Sequence, residues 1–331
     1  MNKKLLVSII LLLLTSTFFV VSLFTSSNGV NFGDLQRVID GDERVLLIFE
    51  QIRLPRALVA FFAGASLALS GALMQAVLKN PLASPFTLGI SQASAFGASF
   101  AIIVLQSYSS VFIFSGSFIT TICAFGASLI CTFVILYLGK STQMRAESLI
   151  LAGVAIGALF SAMTMFLQYF ATEVDVSATL FWTFGDLSKA DIYTSVIIAC
   201  VFVPSLLFFY QRFWKFDALL LGNESAINLG VSVVRLRVGA MIVASLLSAI
   251  TVSFLGIIGF IGLIAPHIIR LILGSGHKML LPLSAILGGG LLLLADIISR
   301  VIIIPLVVPV GILTAFLGAP LFLYLLTRKK N

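Results

Sequence analysis

Charge is the first thing that this sequence lacks. Only 10% of its 331 residues are charged and 60% are hydrophobic, whereas an ordinary soluble chain has about 25% charged residues. So few charges cannot cover a surface in water, which excludes a soluble globular domain, a disordered chain and a nucleic-acid-binding protein. The net charge of +7 is ordinary for a membrane protein, where it reflects lysines and arginines on the cytoplasmic side.

Cysteines and catalytic motifs are also scarce. The three cysteines, Cys123, Cys131 and Cys200, all lie in apolar segments, so they predict neither disulfide bonds nor a metal site. Residues 139–142 read Gly-Lys-Ser-Thr, like the end of a phosphate-binding loop. However, Val134 stands where that loop needs its first glycine. The sequence therefore predicts a chain that is not an enzyme and has no catalytic residue, metal or cofactor of its own.

Long apolar runs are what the sequence has in abundance. A run of about 20 apolar residues lets one helix cross a bilayer, and the alternation typical of barrel strands is missing. Ten such runs predict an all-α, polytopic membrane protein with a single transmembrane domain over residues 1–331. The first run is long for a signal peptide and has no clear cleavage site, which favours a membrane helix. The predicted spans are residues 5–24, 57–78, 86–106, 111–138, 147–170, 192–210, 234–255, 257–273, 281–300 and 310–327.

The distribution of basic residues predicts the orientation. Ten spans place both termini on one side of the membrane. If Lys3 is inside, 14 of the 20 lysines and arginines lie inside, including Arg328, Lys329 and Lys330 near the C-terminus. The positive-inside rule therefore predicts that both termini are cytoplasmic. The basic residues left outside are Arg37, Arg44, Arg53, Arg56, Lys189 and Arg300.

Three of these outer arginines lie directly at the membrane surface. Arg53 and Arg56 stand where the second span begins, and Arg300 ends the ninth. They are interpreted either as headgroup anchors or as a docking surface for an acidic partner, since an arginine fork pairs well with carboxylates. For Arg300, an ion pair with Asp296 four residues earlier is a further interpretation.

The longest predicted cytoplasmic loop covers residues 211–233. Gly222 and Gly230 bracket one predicted short helix, with Asn223 as its N-cap. Such a helix either lies in the membrane interface or protrudes to contact a soluble partner. Its apolar residues at helical spacing are Leu219, Leu220, Ala226 and Leu229.

Two ionisable residues inside apolar runs raise an alternative function. His267 and Asp296 lie in the eighth and ninth spans, and ionisable residues within a membrane are functional candidates. The alternative is an ion-coupled secondary carrier that uses both. A structural interpretation is open for His267, because Pro266 frees a backbone carbonyl to which the imidazole could donate a hydrogen bond.

Small residues recur every four positions in several spans, which predicts close approach between helices. They form three series: Gly89, Ala93, Gly97 and Ala101; Gly153, Gly157 and Ser161; Gly311, Ala315 and Ala319.

A set of ordered motifs makes the chain resemble a known family. The sequence resembles, over essentially its whole length, the FecCD-type permease subunits of ABC importers for iron–siderophores, haem and vitamin B12. The motifs are Arg-Leu-Pro-Arg at 53–56, Gly64 to Gly71 with Gln75, Asn-Pro-Leu-Ala-Ser-Pro at 80–85, Gly-Phe-Ile-Gly-Leu at 259–263 with Pro266, His267 and Arg270, Ala295-Asp296 with Arg300, and 309–320.

The resemblance implies the partners and the setting. It implies the fold of an ABC type II importer permease in a bacterial cytoplasmic (inner) membrane. It implies a second permease subunit, identical or different, and two separate cytoplasmic ATPases that bind ATP and Mg²⁺. An extracytoplasmic binding protein would deliver a ferric siderophore or a related metal chelate such as haem or cobalamin. Which substrate is carried stays open, and an oxyanion is a further possibility within the family.

The resemblance also implies roles for particular residues. Arg53, Arg56 and Arg300 match arginines that dock the binding protein. Ser141 and Thr142 resemble a cytoplasmic gate. The coupling helices that contact the ATPase match a segment containing Leu219, Leu220, Gly222, Glu224, Ala226, Leu229 and Gly230. From polarity alone, Ser66, Ser70, Gln75, Ser161 and Gln168 are candidates to line the translocation path.

Overall fold

The fold is almost entirely helical. The computed structural model describes residues 3–26, 29–30, 33–106, 116–142 and 144–327. Within them, 15 α-helices are seen together with a short antiparallel pair, β1 (Thr25–Ser26) and β2 (Gly29–Val30). The helices are α1 (Lys3–Phe24), α2 (Gly33–Ile39), α3 (Glu43–Ile48), α4 (Leu54–Leu78), α5 (Ile90–Phe100), α6 (Gly116–Ser141), α7 (Ala146–Tyr169), α8 (Glu173–Thr183), α9 (Ile192–Tyr210), α10 (Phe213–Leu220), α11 (Asn223–Asn228), α12 (Val233–Leu255), α13 (Ile261–Leu273), α14 (His277–Val301) and α15 (Val310–Thr327).

Helices lie at the positions of all ten predicted membrane spans. Seven helical segments of the described chain are long and apolar enough to cross a bilayer: α1, α3–α4, α6, α7, α9, α12 and α14. Three shorter apolar helices, α5, α13 and α15, occupy the positions of the remaining predicted spans. The all-α polytopic fold class is therefore confirmed, and the sixth predicted span, 192–210, coincides with α9.

Two of the boundary errors lie at turns. The third span was predicted from residue 86 and the eighth from residue 257, but α5 begins at Ile90 and α13 at Ile261. Each helix follows a residue in the left-handed region, Gly89 (φ 79°) and Phe260 (φ 64°), so the chain cannot enter the helix earlier. The predicted start of the fourth span, 111–115, and the basic residues 328–330 lie outside the described residues.

Several short helices were not predicted. Helices α2 and α3 precede the second span, and a wider π-type turn, Phe49–Arg53, joins α3 to α4 without a break. Helix α8 follows α7, and its N-cap Thr172 accepts a hydrogen bond from the backbone N–H of Asp175. These helices are too short to give an apolar periodicity that stands out from a loop.

The helices group into two compact units, and the prediction of a single domain stays a prediction. One unit contains the chain up to Leu69, Asp186–Tyr210 and the chain from Ile258. In it α1 packs along α14, where Leu11 meets Leu280 and Leu283. The backbone of α4 at Gly64 approaches that of α14 at Gly288 so closely that a side-chain carbon at either position would collide with the other helix.

The other unit contains Ser70–Gly185 and Gln211–Ile257. Helix α5 packs against both α6 and α7. A Cβ at Gly89 would lie 2.8 Å from the carbonyl oxygen of Gly153 and 2.9 Å from the Cα of Gly157. At Gly97 it would collide with the backbone of Cys123. The close helix approach predicted from these small residues is confirmed.

A substitution at Gly89 tests this packing. Gly89→Ala is expected to destabilise the protein by about 2 kcal/mol or more, since the new Cβ meets α7 and the left-handed backbone disfavours alanine. The midpoint of thermal denaturation in detergent measures the effect. Gly126→Ala on α6 is the control, because nothing lies within 4 Å of a Cβ there. Equal midpoints for the two variants would contradict the packing argument.

Candidate functional site

Two of the outer arginines, Arg56 and Arg300, lie in a buried network centred on Asp296. The Asp296 side chain at the end of α14 is fully buried. Its Oδ1 accepts a hydrogen bond from Arg56 Nε at 2.9 Å, and Arg56 Nη2 lies 2.9 Å from the same oxygen. Its Oδ2 pairs with Nη2 of Arg300, one helical turn away. Both carboxylate oxygens therefore have an arginine partner, and the intrahelical interpretation of Arg300 is confirmed.

Arg300 also binds the end of α1. Its Nη2 donates to the hydroxyl of Ser22, and its Nη1 donates to the backbone carbonyls of Ser22 and Thr25. One guanidinium thus joins the end of α1 to α14. A buried arginine needs this many acceptors, because a charge taken out of water is costly unless it is paired and hydrogen-bonded.

Arg53 has a separate acidic partner. Its Nη2 lies 2.7 Å from Oδ2 of Asp34 in α2, and its Nη1 donates to the carbonyl of Leu23. The side chains of Arg53 and Arg56 are each 12% exposed, and that of Arg300 is 5% exposed. All three arginines thus face acids of their own chain, and their docking roles stay predictions.

The ion pairs of Arg53 and Arg56 were not predicted from the sequence. The alternative of an ion-coupled carrier depends on Asp296, although a buried carboxylate generally requires a positive partner. That rule could have suggested an arginine as the partner, but not which of the outer arginines it would be.

The loop of residues 211–233, which we call the coupling segment, contains two helices, α10 and α11, rather than the one predicted. Helices α10 and α11 pack on each other, and α11 packs on the start of α12. The N-cap of α11 is Gly222, not Asn223 as predicted, because Asn223 already belongs to the helix. Gly222 has φ 118° and ψ 161°, a conformation that a side chain disfavours, which explains glycine at this bend.

The coupling residues divide into an inner and an outer group. Leu219 and Ala226 are buried and hold the segment together. Glu224 and Gly230 are exposed, and Gly222 is half-buried. Four large apolar side chains are 50–69% exposed, and we call them the apolar patch. Two of them, Leu221 and Ile227, were not among the predicted coupling residues. The apolar patch consists of Leu220, Leu221, Ile227 and Leu229.

The predicted gate lies in the turn between α6 and α7. Ser141 donates to the carbonyl of Leu138 and Thr142 to that of Gly139, so both hydroxyls bond to the last turn of α6. Met144 has φ 58°, and its N–H donates to the Gly139 carbonyl at 2.8 Å. The described residues of this turn are therefore hydrogen-bonded to the end of α6, and its role as a gate stays a prediction.

The candidate path residues differ in exposure. Ser66, Ser70 and Gln75 on α4 are buried, and Ser70 donates to the carbonyl of Ala244. Ser161 and Gln168 on α7 are half-buried. The amide of Gln168 donates to the hydroxyl of Thr179 in α8 at 2.9 Å. The translocation path through these residues stays a prediction.

His267 does not make the hydrogen bond suggested for it. Both ring nitrogens are buried without a hydrogen-bond partner among the described residues. The ring instead contacts that of Phe322, with centroids 6.1 Å apart. Within the same part of the chain, no group of three or more His, Cys, Asp or Glu side chains is placed to hold a metal ion.

Comparisons with known proteins match nearly the whole chain. A model of the FecCD transport family matches residues 11–328. An ABC transporter permease protein of Methanocaldococcus jannaschii is 47% identical over 99% of this chain and 95% of that protein. A vitamin B12 import system permease protein of Yersinia enterocolitica is 36% identical over 85% of this chain and 82% of its own length. An Fe(3+)-citrate import system permease protein of Bacillus subtilis is 38% identical over 86% and 83%, respectively.

A solved structure extends the match to the fold. It is an inward-facing conformation of a metal-chelate type ABC transporter, with a TM-score of 0.84 and 30% identity over 96% of this chain and 98% of that chain. The arginine network around Asp296, the coupling segment and the α6–α7 turn all lie within residues matched by the family model.

Proposed function

This chain belongs to the FecCD transport family, as its motifs indicated, and we propose that it is the permease subunit of an ABC importer for a metal chelate. The family consists of membrane transport permeases, so the chain is a multi-pass transport subunit and not an enzyme. The observation that carries the proposal is the family match over residues 11–328, which includes all but the start of the first predicted span.

The proposed substrate is a ferric siderophore or a related chelate such as haem or cobalamin. Support comes from the relatives, one named for vitamin B12 and one for ferric citrate, and from the metal-chelate type transporter of the same fold. We propose import from a binding protein outside the cell to the cytoplasm, without chemical change. One permease domain over residues 1–331 would pair with a second permease, identical or different, in the cytoplasmic membrane.

The proposed energy source is a pair of separate ATPase subunits. They would bind ATP and Mg²⁺ and contact the apolar patch on α10 and α11. ATP binding would bring the ATPases together and displace the coupling segment, which would alternate access to the path. The exposed apolar side chains support this proposal, since the free energy falls when a partner covers a side chain such as Leu221. Both termini would lie in the cytoplasm.

The proposed docking site for the binding protein is the outer end of α4. Acidic groups of the binding protein would approach Arg53 and Arg56, the more exposed of the three arginines. Arg300 would act from beneath, by holding Asp296 and the end of α1 in place. The acidic groups would be attracted by the positive charge that Asp34 and Asp296 leave only partly balanced at this surface.

Removal of the two outer charges tests docking. The double variant Arg53→Gln, Arg56→Gln is expected to weaken association of the binding protein at least about tenfold and to reduce its dependence on ionic strength. The binding protein captured with the complex from native membranes serves as the probe. Arg44→Gln is the matched control, because Arg44 is an exposed arginine of α3 with no assigned role. Unchanged affinity in the double variant would refute the docking site.

An ion-coupled carrier is the alternative function. It would require Asp296 to exchange ions, yet both oxygens of Asp296 are held by Arg56 and Arg300. This pairing favours a structural role for the carboxylate. Uptake that stops on ATP depletion supports the importer. Uptake that stops with an uncoupler while ATP is held constant supports the carrier.

The decisive experiment is purification from native membranes in mild detergent, with the associated proteins identified by mass spectrometry. A stoichiometric ATP-binding cassette subunit is expected. Uptake of radiolabelled ferric citrate and of cyanocobalamin into vesicles containing the complex would then identify the substrate class. A preparation without an ATPase, at low salt and with nucleotide present, would contradict the importer proposal.

A further inference from the structure

A buried arginine connects the coupling segment to the predicted gate. Arg237 lies on α12 and is 5% exposed. Its Nε donates to the carbonyl of Val77 at 2.9 Å, and its Nη1 donates to the carbonyl of Met144. Three elements that are distant in sequence therefore meet at one guanidinium: the end of α4, the α6–α7 turn and the start of α12.

Both carbonyls lie where the backbone lacks regular helical hydrogen bonds or adopts a disfavoured conformation. The last carbonyls of a helix have no partner within it, and Val77 is in the last turn of α4. Met144 and Lys79 are non-glycine residues in the left-handed region, with φ 58° and 47°. A side chain disfavours that conformation, so it persists where neighbouring contacts hold it. The guanidinium supplies such contacts beside both turns.

Two charged residues influence the free-energy cost of burying the Arg237 guanidinium. The pKa of Lys79 is lowered mainly by its partial burial and secondly by the positive charge of Arg237. A second basic group thus lies close to the buried guanidinium. The carboxylate of Glu147, in the first turn of α7, interacts favourably with Arg237. Charge attraction therefore reinforces the link between α12 and the start of α7.

The coupling segment is firmly attached to the helix that carries Arg237. The N–H of Val231 donates to the Ala226 carbonyl at 2.9 Å, which ties the end of α11 to the residues before α12. Val231 and Val233 are buried in this connection. A displacement of α11 would therefore move the first turns of α12, and Arg237 with them.

We propose that Arg237 is a positioning residue that fastens the coupling segment to the α6–α7 turn. When the segment moves, the guanidinium carries the turn of Ser141 and Thr142 with it. This inference rests on the proposed function, because it takes the ATPase as the source of the movement. A merely structural arginine would hold the helices together without transmitting a response to ATP.

The test measures movement of the turn directly. Lys140→Cys, an exposed position at the end of α6, is the reporter in a chain with Cys200→Ser, which removes the exposed native thiol. The complex with its ATPase is placed in lipid nanodiscs, and the rate of labelling by a membrane-impermeant maleimide is measured with and without ATP and vanadate. ATP is expected to change this rate at least about fivefold.

Two substitutions on the same helix then separate the roles. Arg237→Met is expected to abolish the change in labelling rate while the complex still hydrolyses ATP. Arg235→Met is the matched control, because Arg235 is an exposed arginine that bonds to the hydroxyl of Ser232. It should leave both hydrolysis and the labelling response unchanged. A full response in Arg237→Met overturns the inference, as does a reporter that never responds to ATP in the parent chain.

A second measurement does not depend on the variant folding. In the parent complex, hydrogen–deuterium exchange of residues 139–145 and 223–230 is expected to change together when ATP binds. A change confined to 223–230 overturns the inference and leaves the importer proposal intact. By contrast, a parent chain that captures no ATPase at all would contradict the proposed function itself.

Discussion

Glutamate at both Leu221 and Ile227 is expected to release the ATPase and abolish ATP-driven transport. These side chains are 69% and 59% exposed and belong to the apolar patch. Covering one large apolar side chain contributes about 1.5–3 kcal/mol. Losing two, and placing charge in the contact, should weaken binding at least about 100-fold. Because both side chains point into solvent, the substitution leaves the packing of α10 and α11 intact.

The measurement is the amount of ATPase that remains bound to the purified chain, together with uptake into vesicles. Leu47→Glu is the matched control. Leu47 is an apolar residue of α3, 62% exposed, and lies on the face predicted to be outside. This control should keep the ATPase and its transport rate. If the double variant still carried a stoichiometric ATPase, the apolar patch would not be the contact.

Asp296→Asn is expected to be the most destabilising single substitution considered. The change leaves the buried guanidinium of Arg300 and the partly buried one of Arg56 without their carboxylate. Removing one partner of a buried ion pair costs roughly 3–5 kcal/mol, which corresponds to a fall in the thermal midpoint on the order of 10 °C. The end of α1 should loosen as well, because Arg300 holds it through Ser22 and Thr25.

Thermal denaturation of the detergent-solubilised protein measures this effect. Asp40→Asn makes the same chemical change at an exposed position and should leave the midpoint unchanged. The triple variant Arg56→Met, Asp296→Leu, Arg300→Met is expected to lose less stability than Asp296→Asn, since no unpaired charge stays buried. A wild-type midpoint for Asp296→Asn would show that the network around Asp296 does not stabilise the fold.

The coupling segment shows where local patterns reach their limit. The glycines at 222 and 230 correctly marked a helix between them, because a backbone that must bend there favours glycine. The pattern did not separate Leu219, which packs inside, from Leu220 and Leu221, which are exposed. Adjacent leucines look alike in sequence, and their burial depends on how α10 packs against its neighbours.

The class of protein and the order of its membrane helices follow from the amino-acid sequence alone. Apolar run length is a local property that the thickness of a bilayer makes decisive, so the spans could be placed, and the ordered motifs identified the family. The partners of the charged residues, by contrast, depend on how the helices pack. Arg56 and Asp296 are 240 positions apart, and Arg237 reaches carbonyls 160 and 93 positions away. A buried charge requires a partner, but which partner it meets depends on the packing of whole helices.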